Sequence, residues 1–201
     1  MVFRAFRAAA AAMLVVLAAT PAQAQHFSDS YQFLDAVRKG DGTKVAKLIT
    51  DSNGSILNTK SRESGEGALH IIAQKGDAVY LRFLIQKGAN PNLQDGAGNS
   101  PMMIAVNSGF DEGVSILITY KANVNLTNNS GESPLIRAVQ LRKRDLVAVL
   151  LAAGADPDKA DVLAGMSARD YARVDNRSPA IAKMLADAPK AAANKTAGPR
   201  L

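Results

Sequence analysis

A pattern of 33 residues written three times constrains this chain more than any other feature. The stretches Gly67–Asn92, Ser100–Asn125 and Ser133–Asp158 align without gaps: Leu69, Met102 and Leu135 fall 33 apart, as do Leu84, Leu117 and Leu150, and Ala89, Ala122 and Ala155. A period of roughly 20–50 residues marks a stacked array rather than a domain folded around one central core. Each unit of such an array buries its apolar face against its neighbours, and the product is an extended surface. The class of function this implies is binding; the pattern does not name the partner.

The local chemistry of the units is helical. Ser100-Pro101 and Ser133-Pro134 place a capping hydroxyl before a proline at the first helical position, where a missing N–H costs nothing. Apolar residues then recur at helical spacing: Met102, Ala105, Val106 and Leu135, Ala138, Val139 in first helices, and Val114, Leu117, Ile118 and Leu146, Val149, Leu150 on one face of second helices. Gly88 and Gly154 stand just past those second helices, where a left-handed residue ends a helix at little cost. Lys121 holds that position in the middle unit. If the same conformation is adopted there, it costs about 1 kcal/mol relative to glycine.

Period and residues together resemble the ankyrin repeat, a β-turn followed by two helices with a T-P-L-H-x-A signature. The second unit supplies Asp95, Gly98, Ser100, Pro101, Met102, Ala105, Gly109 and Ala122-Asn123-Val124-Asn125; the third supplies Gly131, Ser133, Pro134, Leu135, Ala138, Gly154, Ala155 and Asp156. The first keeps Ala68, Leu69, His70, Gly76, Gly88, Ala89, Asn90 and Asn92, with Gly67 where threonine is usual. Degenerate units flank these. Phe33–Ile49 matches the two-helix part, closed by Asn58 after a longer loop, and Gly165, Ser167, Ala172, Ile181 and Leu185 follow the third unit at spacing 34. Arg169 and Asp170 fall where Leu135 and Ile136 stand, which suits a solvated terminal cap.

The resemblance therefore implies an all-α ankyrin repeat solenoid over 31–187, with hairpin-like loops between helix–turn–helix units. Three full repeats, 62–94, 95–127 and 128–160, lie between two capping repeats, 31–61 and 161–187. His70, at the signature histidine position, is implied to hydrogen-bond in the turn and tie neighbouring units together.

The N-terminus carries a separate signal. Arg4 and Arg7 precede an uncharged apolar run from Ala8 to Thr20, followed by Pro21-Ala22-Gln23-Ala24-Gln25. This is the layout of a cleaved secretory signal, 1–24, cut after Ala24. The run is shorter than the roughly 20 apolar residues that span a membrane. The alanine-rich signal points to a bacterial periplasmic or secreted protein beginning with a short segment, 25–30. The chain has no cysteine, so neither a disulfide nor a lipidated cysteine is available. The tail 188–201, Ala-, Lys-, Gly- and Pro-containing without periodic large apolars, reads as disordered.

Charge argues against a nucleic-acid partner. The net charge of +6 comes from 24 basic and 18 acidic residues. Arg4, Arg7, Lys190, Lys195 and Arg200 lie in the signal or the tail, leaving 25–187 nearly neutral, whereas nucleic-acid binders carry a basic face. Arg142-Lys143-Arg144 is the local exception, read as a solvated loop with a contact for an acidic partner as the sharper alternative.

Catalytic and metal chemistry find little to use. There are two histidines. His26 lies beside the new N-terminus, where with the terminal amine it could at most bind copper or nickel weakly. No phosphate loop or nucleophile elbow occurs. Asp156, Asp158 and Asp161 lack the ligand set of a calcium loop and read as a solvated turn. No enzyme, metal or cofactor is expected.

Binding then rests on the surface. Ankyrin proteins usually meet partners at the loop tips and the exposed positions of the first helices, along the concave face. Carried over by position, this implies Gln94, Gly96, Ala97 and Asn99 in one loop and Asn128, Asn129, Ser130 and Glu132 in the next. On the first helices it implies Gln74, Asn107 and Gln140, a polar, neutral row. Phe110 and Tyr120 are aromatic where the family is usually polar, and exposed aromatics are enriched in binding hot spots. The reading is a non-enzymatic protein–protein interaction module in the bacterial periplasm: an adaptor, inhibitor or stabiliser of another envelope protein, with no nucleic acid and no stable membrane anchor. A toxin-neutralising protein, an enzyme or small-ligand binder, and a self-associating structural protein stand as alternatives.

Overall fold

The computed structural model describes residues 21–189, with side chains from 29 onward. The tail from 190 and most of the predicted signal lie outside the described residues, as does the His26 side chain; the cleavage point after Ala24 falls within the first helix. Among the described residues there are ten α-helices, one 3-10 turn and no strand. The helices come in consecutive pairs: α1 Pro21–Lys39 and α2 Gly42–Asp51, α3 Ala68–Lys75 and α4 Ala78–Gln86, α5 Pro101–Ser108 and α6 Asp111–Thr119, α7 Pro134–Gln140 and α8 Arg144–Ala152, α9 Ala168–Val174 and α10 Pro179–Asp187. The 3-10 turn, Ser55–Asn58, closes the first pair where the sequence places Asn58.

The first helices stack in one layer, α1 on α3, α3 on α5, α5 on α7 and α7 on α9, while α4, α6, α8 and α10 form a second. Between the layers runs one continuous apolar core that takes Phe33, Leu69, Leu84, Met102, Leu117, Leu135 and Leu150 from successive units. One face differs from expectation. In α8 the buried residues are Leu146, Val147 and Leu150, while Val149 is exposed; in α6, Ile116 is buried and Ile118 half-buried. The second helices are rotated slightly from the face that the apolar pattern suggested.

Local chemistry sets the helix ends. Ser100, Ser133 and Ser167 accept from the backbone N–H of Met103, Ile136 and Asp170 at 3.3, 3.2 and 3.3 Å. Gly67 has no hydroxyl, and a Cβ there would meet Leu93 Cδ2 at 2.6 Å, so the usual threonine would require the Leu93 side chain to shift. Asp41 and Asp77 cap α2 and α4, each accepting at 2.9 Å from Lys44 and Tyr80. The α6 and α8 starts lack a side-chain cap but carry Asp111, Glu112 and Asp145 in the first turn, facing the positive end of the helix dipole.

Three non-glycine residues among those described hold left-handed positions, Asn53 at φ 49° in the turn after α2 and two within the repeats. Lys121 has φ 61°, matching Gly88 at 103° and Gly154 at 86°. Arg142 has φ 55°, one unit beyond Gly76 at 74° and Gly109 at 67°.

The C-terminal unit corrects a sequence expectation. Arg169 and Asp170 are not a solvated cap. Arg169 bonds Asp158 Oδ1 from Nε at 2.6 Å, reaches the carbonyl of Leu185, and donates to those of Ala188 and Pro189 at 2.9 and 3.0 Å. It thus satisfies carbonyls that the end of α10 leaves open. Asp170 closes a capping box with Ser167, accepting from its N–H at 3.0 Å.

Candidate partner-binding surface

Polar groups in the loops are spent on holding the units in register. At the tips, Gly96 N–H donates to Ser64 O, Asn129 N–H to Ala97 O and Val162 N–H to Ser130 O, at 2.9, 3.0 and 2.9 Å. The backbones approach so closely that a Cβ on Gly65, Gly98 or Gly131 would lie 2.4, 2.7 or 2.8 Å from the amide nitrogen of the next loop. These glycines also hold φ of 71–80°, which L side chains rarely adopt. A second ladder runs through asparagines. Asn58, Asn92 and Asn125 each accept, through Oδ1 at 2.7 Å, from the backbone N–H of Asn90, Asn123 and Asp156 in the following unit.

Several residues singled out as partner contacts take part in this scaffold. Gln94 donates from Nε2 to Gly98 O at 2.6 Å and to Thr127 O at 2.9 Å, joining two units. Asn99 donates to Asp95 and accepts from Asn128 Nδ2 at 3.3 Å. Asn128 Oδ1 accepts from the N–H of Ser130 and Glu132, an Asx turn. Glu132 is buried, 3.6 Å from Arg137 Nε. Asn129 is exposed but donates to Gly96 O at 3.2 Å.

Asp95, Asn128 and Asp161, spaced 33 apart, play the same turn-closing part. Asp161 corrects the reading of a solvated acidic turn: it is buried and accepts from Ala164 and Gly165 N–H at 2.7 and 3.1 Å and from the Tyr171 hydroxyl at 2.5 Å. Burial opposes its ionisation, but these bonds outweigh it and hold the carboxyl below its ordinary value. No group of three or more metal-ligating side chains occurs among the described residues.

His70 accepts from Gly67 N–H through Nδ1 at 3.1 Å, which places its proton on Nε2, 3.0 Å from the carbonyl of Asn99. Burial, only partly offset by the bond to Asn99, depresses its pKa, so the ring is held neutral. The tie between units is the one the resemblance implied.

The surface left for a partner is the first-helix row. Gln74 and Asn107 are exposed, and Gln140 is half-buried, accepting from an Arg137 terminal nitrogen at 3.3 Å. Arg38 and Val174 extend the row into the outer units; Val174 is 66% exposed. The two aromatics are tied in rather than free. Tyr120 packs on the core and its hydroxyl accepts from Gln86 at 2.9 Å. Phe110 lies over Gly113, where a Cβ would meet the ring at 2.2 Å.

Three clefts flank this surface. One of ≈ 630 Å³ lies between α1 and the first loop, lined by Tyr31, Leu34, Arg38 and Lys60 among others. One of ≈ 440 Å³ lies between α7 and α9. The third, ≈ 430 Å³, opens between the α1–α2 connection and α4, bounded by Gly40, Gly42, Ala46, Val79, Tyr80 and Phe83. Tyr80 stacks on Phe83 with centroids 5.9 Å apart, and its buried hydroxyl has no hydrogen-bond partner. Burial pushes its pKa up to about 12.

Comparison with known proteins agrees with the geometry. The family model described as ankyrin repeats, in three copies, matches residues 33–128 and 69–161. The chain belongs to the ankyrin repeat family. Among curated ankyrin relatives, a putative ankyrin repeat protein of Rickettsia felis is 33% identical over 57 residues, covering 27% of this chain and 25% of that protein. The nuclear factor NF-kappa-B p110 subunit of Drosophila melanogaster is 41% identical over 51 residues, 25% of this chain and 5% of the relative. Human protein phosphatase 1 regulatory subunit 27 is 31% identical over 86 residues, 43% of this chain and 54% of the relative. The chain thus spans about half or less of the length of these relatives. Ankyrin repeats mediate protein–protein interaction, and relatives named as regulatory subunits are among those matched.

The residues that sequence reasoning missed are Asn92 and Asn125 as rungs, Arg169 as a clasp and Tyr80 beside its groove. Recurrence at 33 was the available signal for the rungs. Nothing in the local sequence marks the other two.

Proposed function

We propose that this ankyrin array is a non-enzymatic adaptor, inhibitor or stabiliser that holds another protein of the bacterial envelope against its first-helix, concave face. The observation that carries the reading is the division of polar groups: loop amides and carboxylates are consumed in joining units, while Gln74 and Asn107 on the first helices stay exposed. Regulatory-subunit relatives support a role that acts on a partner rather than on a substrate. The envelope location rests on Arg4, Arg7, the apolar run and the Ala-Gln-Ala site. In-cell crosslinking and capture with the tagged protein tests it, alongside a Gln74→Ala, Asn107→Ala, Gln140→Ala variant. One dominant envelope protein, lost in the variant, is expected. A folded, abundant bait that captures no protein would overturn the reading, and a mature N-terminus other than Gln25 would overturn the predicted cleavage.

A further inference from the structure

The α7–α9 cleft differs from the rest of the first-helix face in charge and in backbone. Its rim is formed by Gln140, Arg142, Asp175, Arg177 and Val174, with Tyr171 along the wall. Arg142 Nε donates to Asp175 Oδ2 at 2.7 Å and Arg177 Nε to Asp175 Oδ1 at 3.2 Å. Two guanidinium groups therefore share one carboxylate. Each commits only its Nε, and the terminal nitrogens of both make no hydrogen bond among the described residues. Two cationic side chains, Arg142 and Arg177, face one carboxylate, Asp175, in the lining, so the cleft is left with one positive charge in excess. The side chains of Arg142 and Arg177 are 40% and 72% exposed, within reach of a ligand.

The backbone is an independent observation. Arg142 stands in a left-handed conformation that the two preceding units give to glycine. Strain of this kind persists only where the surroundings hold it, and it clusters at functional sites. Glycine here would fold at least as easily but would place no guanidinium at the cleft.

We propose that this cleft binds an acidic segment of a protein partner: an Asp or Glu side chain of the segment bridges Arg142 and Arg177, and a neighbouring aliphatic side chain lies on Val174. Guanidinium forks match carboxylates in two-bond geometry, Asp175 pre-orients both forks, and Gln140 offers an amide to the segment's backbone. The inference rests on the binding-module reading and narrows its partner.

The test is selection of ten-residue peptides from a random display library on the full protein, followed by titration against an Arg142→Gly, Arg177→Gln variant and against inorganic polyphosphate. Arg142→Gly relieves backbone strain, so the variant keeps its fold, which a melting curve verifies. The selected peptides are expected to carry Asp or Glu beside an aliphatic residue, to lose at least tenfold in affinity for the variant, and to weaken with added salt. Selection of peptides without carboxylates, equal binding to the variant, or binding of polyphosphate with no peptide selected would each overturn the cleft assignment. The module reading stands or falls separately, on whole-protein capture with a Gln74→Ala, Asn107→Ala variant, which leaves the cleft intact.

Discussion

His70 Nε2 lies 3.0 Å from the carbonyl oxygen of Asn99, a bond that a neutral imidazole makes across the boundary between two repeats. The same ring accepts from Gly67 N–H, which a protonated ring cannot do. The folded-state pKa is lowered from the ordinary 6.5, so on acidification the unfolded chain takes up the proton first. Stability from this group is complete above about pH 6.5 and is lost as pH falls through the folded-state value. Melting temperature is expected to drop between pH 7.5 and pH 5.5, and a His70→Gln variant to show a flatter profile over that range. Parallel profiles would refute the assignment.

Lys121 holds the conformation that Gly88 and Gly154 hold in the adjoining repeats. Replacing it by glycine removes a Cβ penalty of about 1 kcal/mol. Lys121→Gly should therefore melt higher by chemical denaturation at unchanged slope. A lower midpoint would mean that the lysine side chain stabilises the fold by more than its backbone costs.

The Tyr80 hydroxyl is buried without a partner. Deleting an unsatisfied polar group is neutral or favourable, by up to about 1 kcal/mol, so Tyr80→Phe should equal or exceed the parent protein in stability. In a spectrophotometric titration of the four tyrosines, the variant should lose the component near pH 12. Marked destabilisation would show that the hydroxyl has a partner in solution.

Asn125 accepts from Asp156 N–H at 2.7 Å and donates to Gly154 O at 3.0 Å, one repeat ahead. Asn125→Ala removes one part-buried and one exposed hydrogen bond, which costs about 0.5–1.5 kcal/mol. Hydrogen exchange should rise first in the last two repeats. An increase spread evenly over all five helix pairs would argue that the rungs do not act locally.

Much of this architecture was legible because its determinants are local. Ser100-Pro101 and Ser133-Pro134 state where helices begin, and Leu84, Leu117 and Leu150 state which face is buried; neither depends on a distant residue. The surface was harder to read because an amide on a loop can point to solvent or to the next unit. Gln94 and Asn99 turned inward because the following loop presents Thr127 O and Asn128 Nδ2 in reach, and Asn128 because the preceding loop offers Asn99 Oδ1 and its own loop Glu132. Arg169 escaped for the same reason on a larger scale: its acceptors at Leu185, Ala188 and Pro189 lie in the last turn of α10 and just past it, 16 to 20 residues along the chain.

The two ladders between repeats are written in identical rungs, so their donors and acceptors do not depend on which unit meets which. Asn92 serves Asn123 as Asn125 serves Asp156, and the loop tips pair by the same offset. Duplicating or deleting residues 95–127 as a block would leave every such joint matched. The length of the array is therefore free to vary in whole units without a cost in unpaired backbone, while the two end units, with their clasp at Arg169 and their turn at Ser55–Asn58, close whatever lies between.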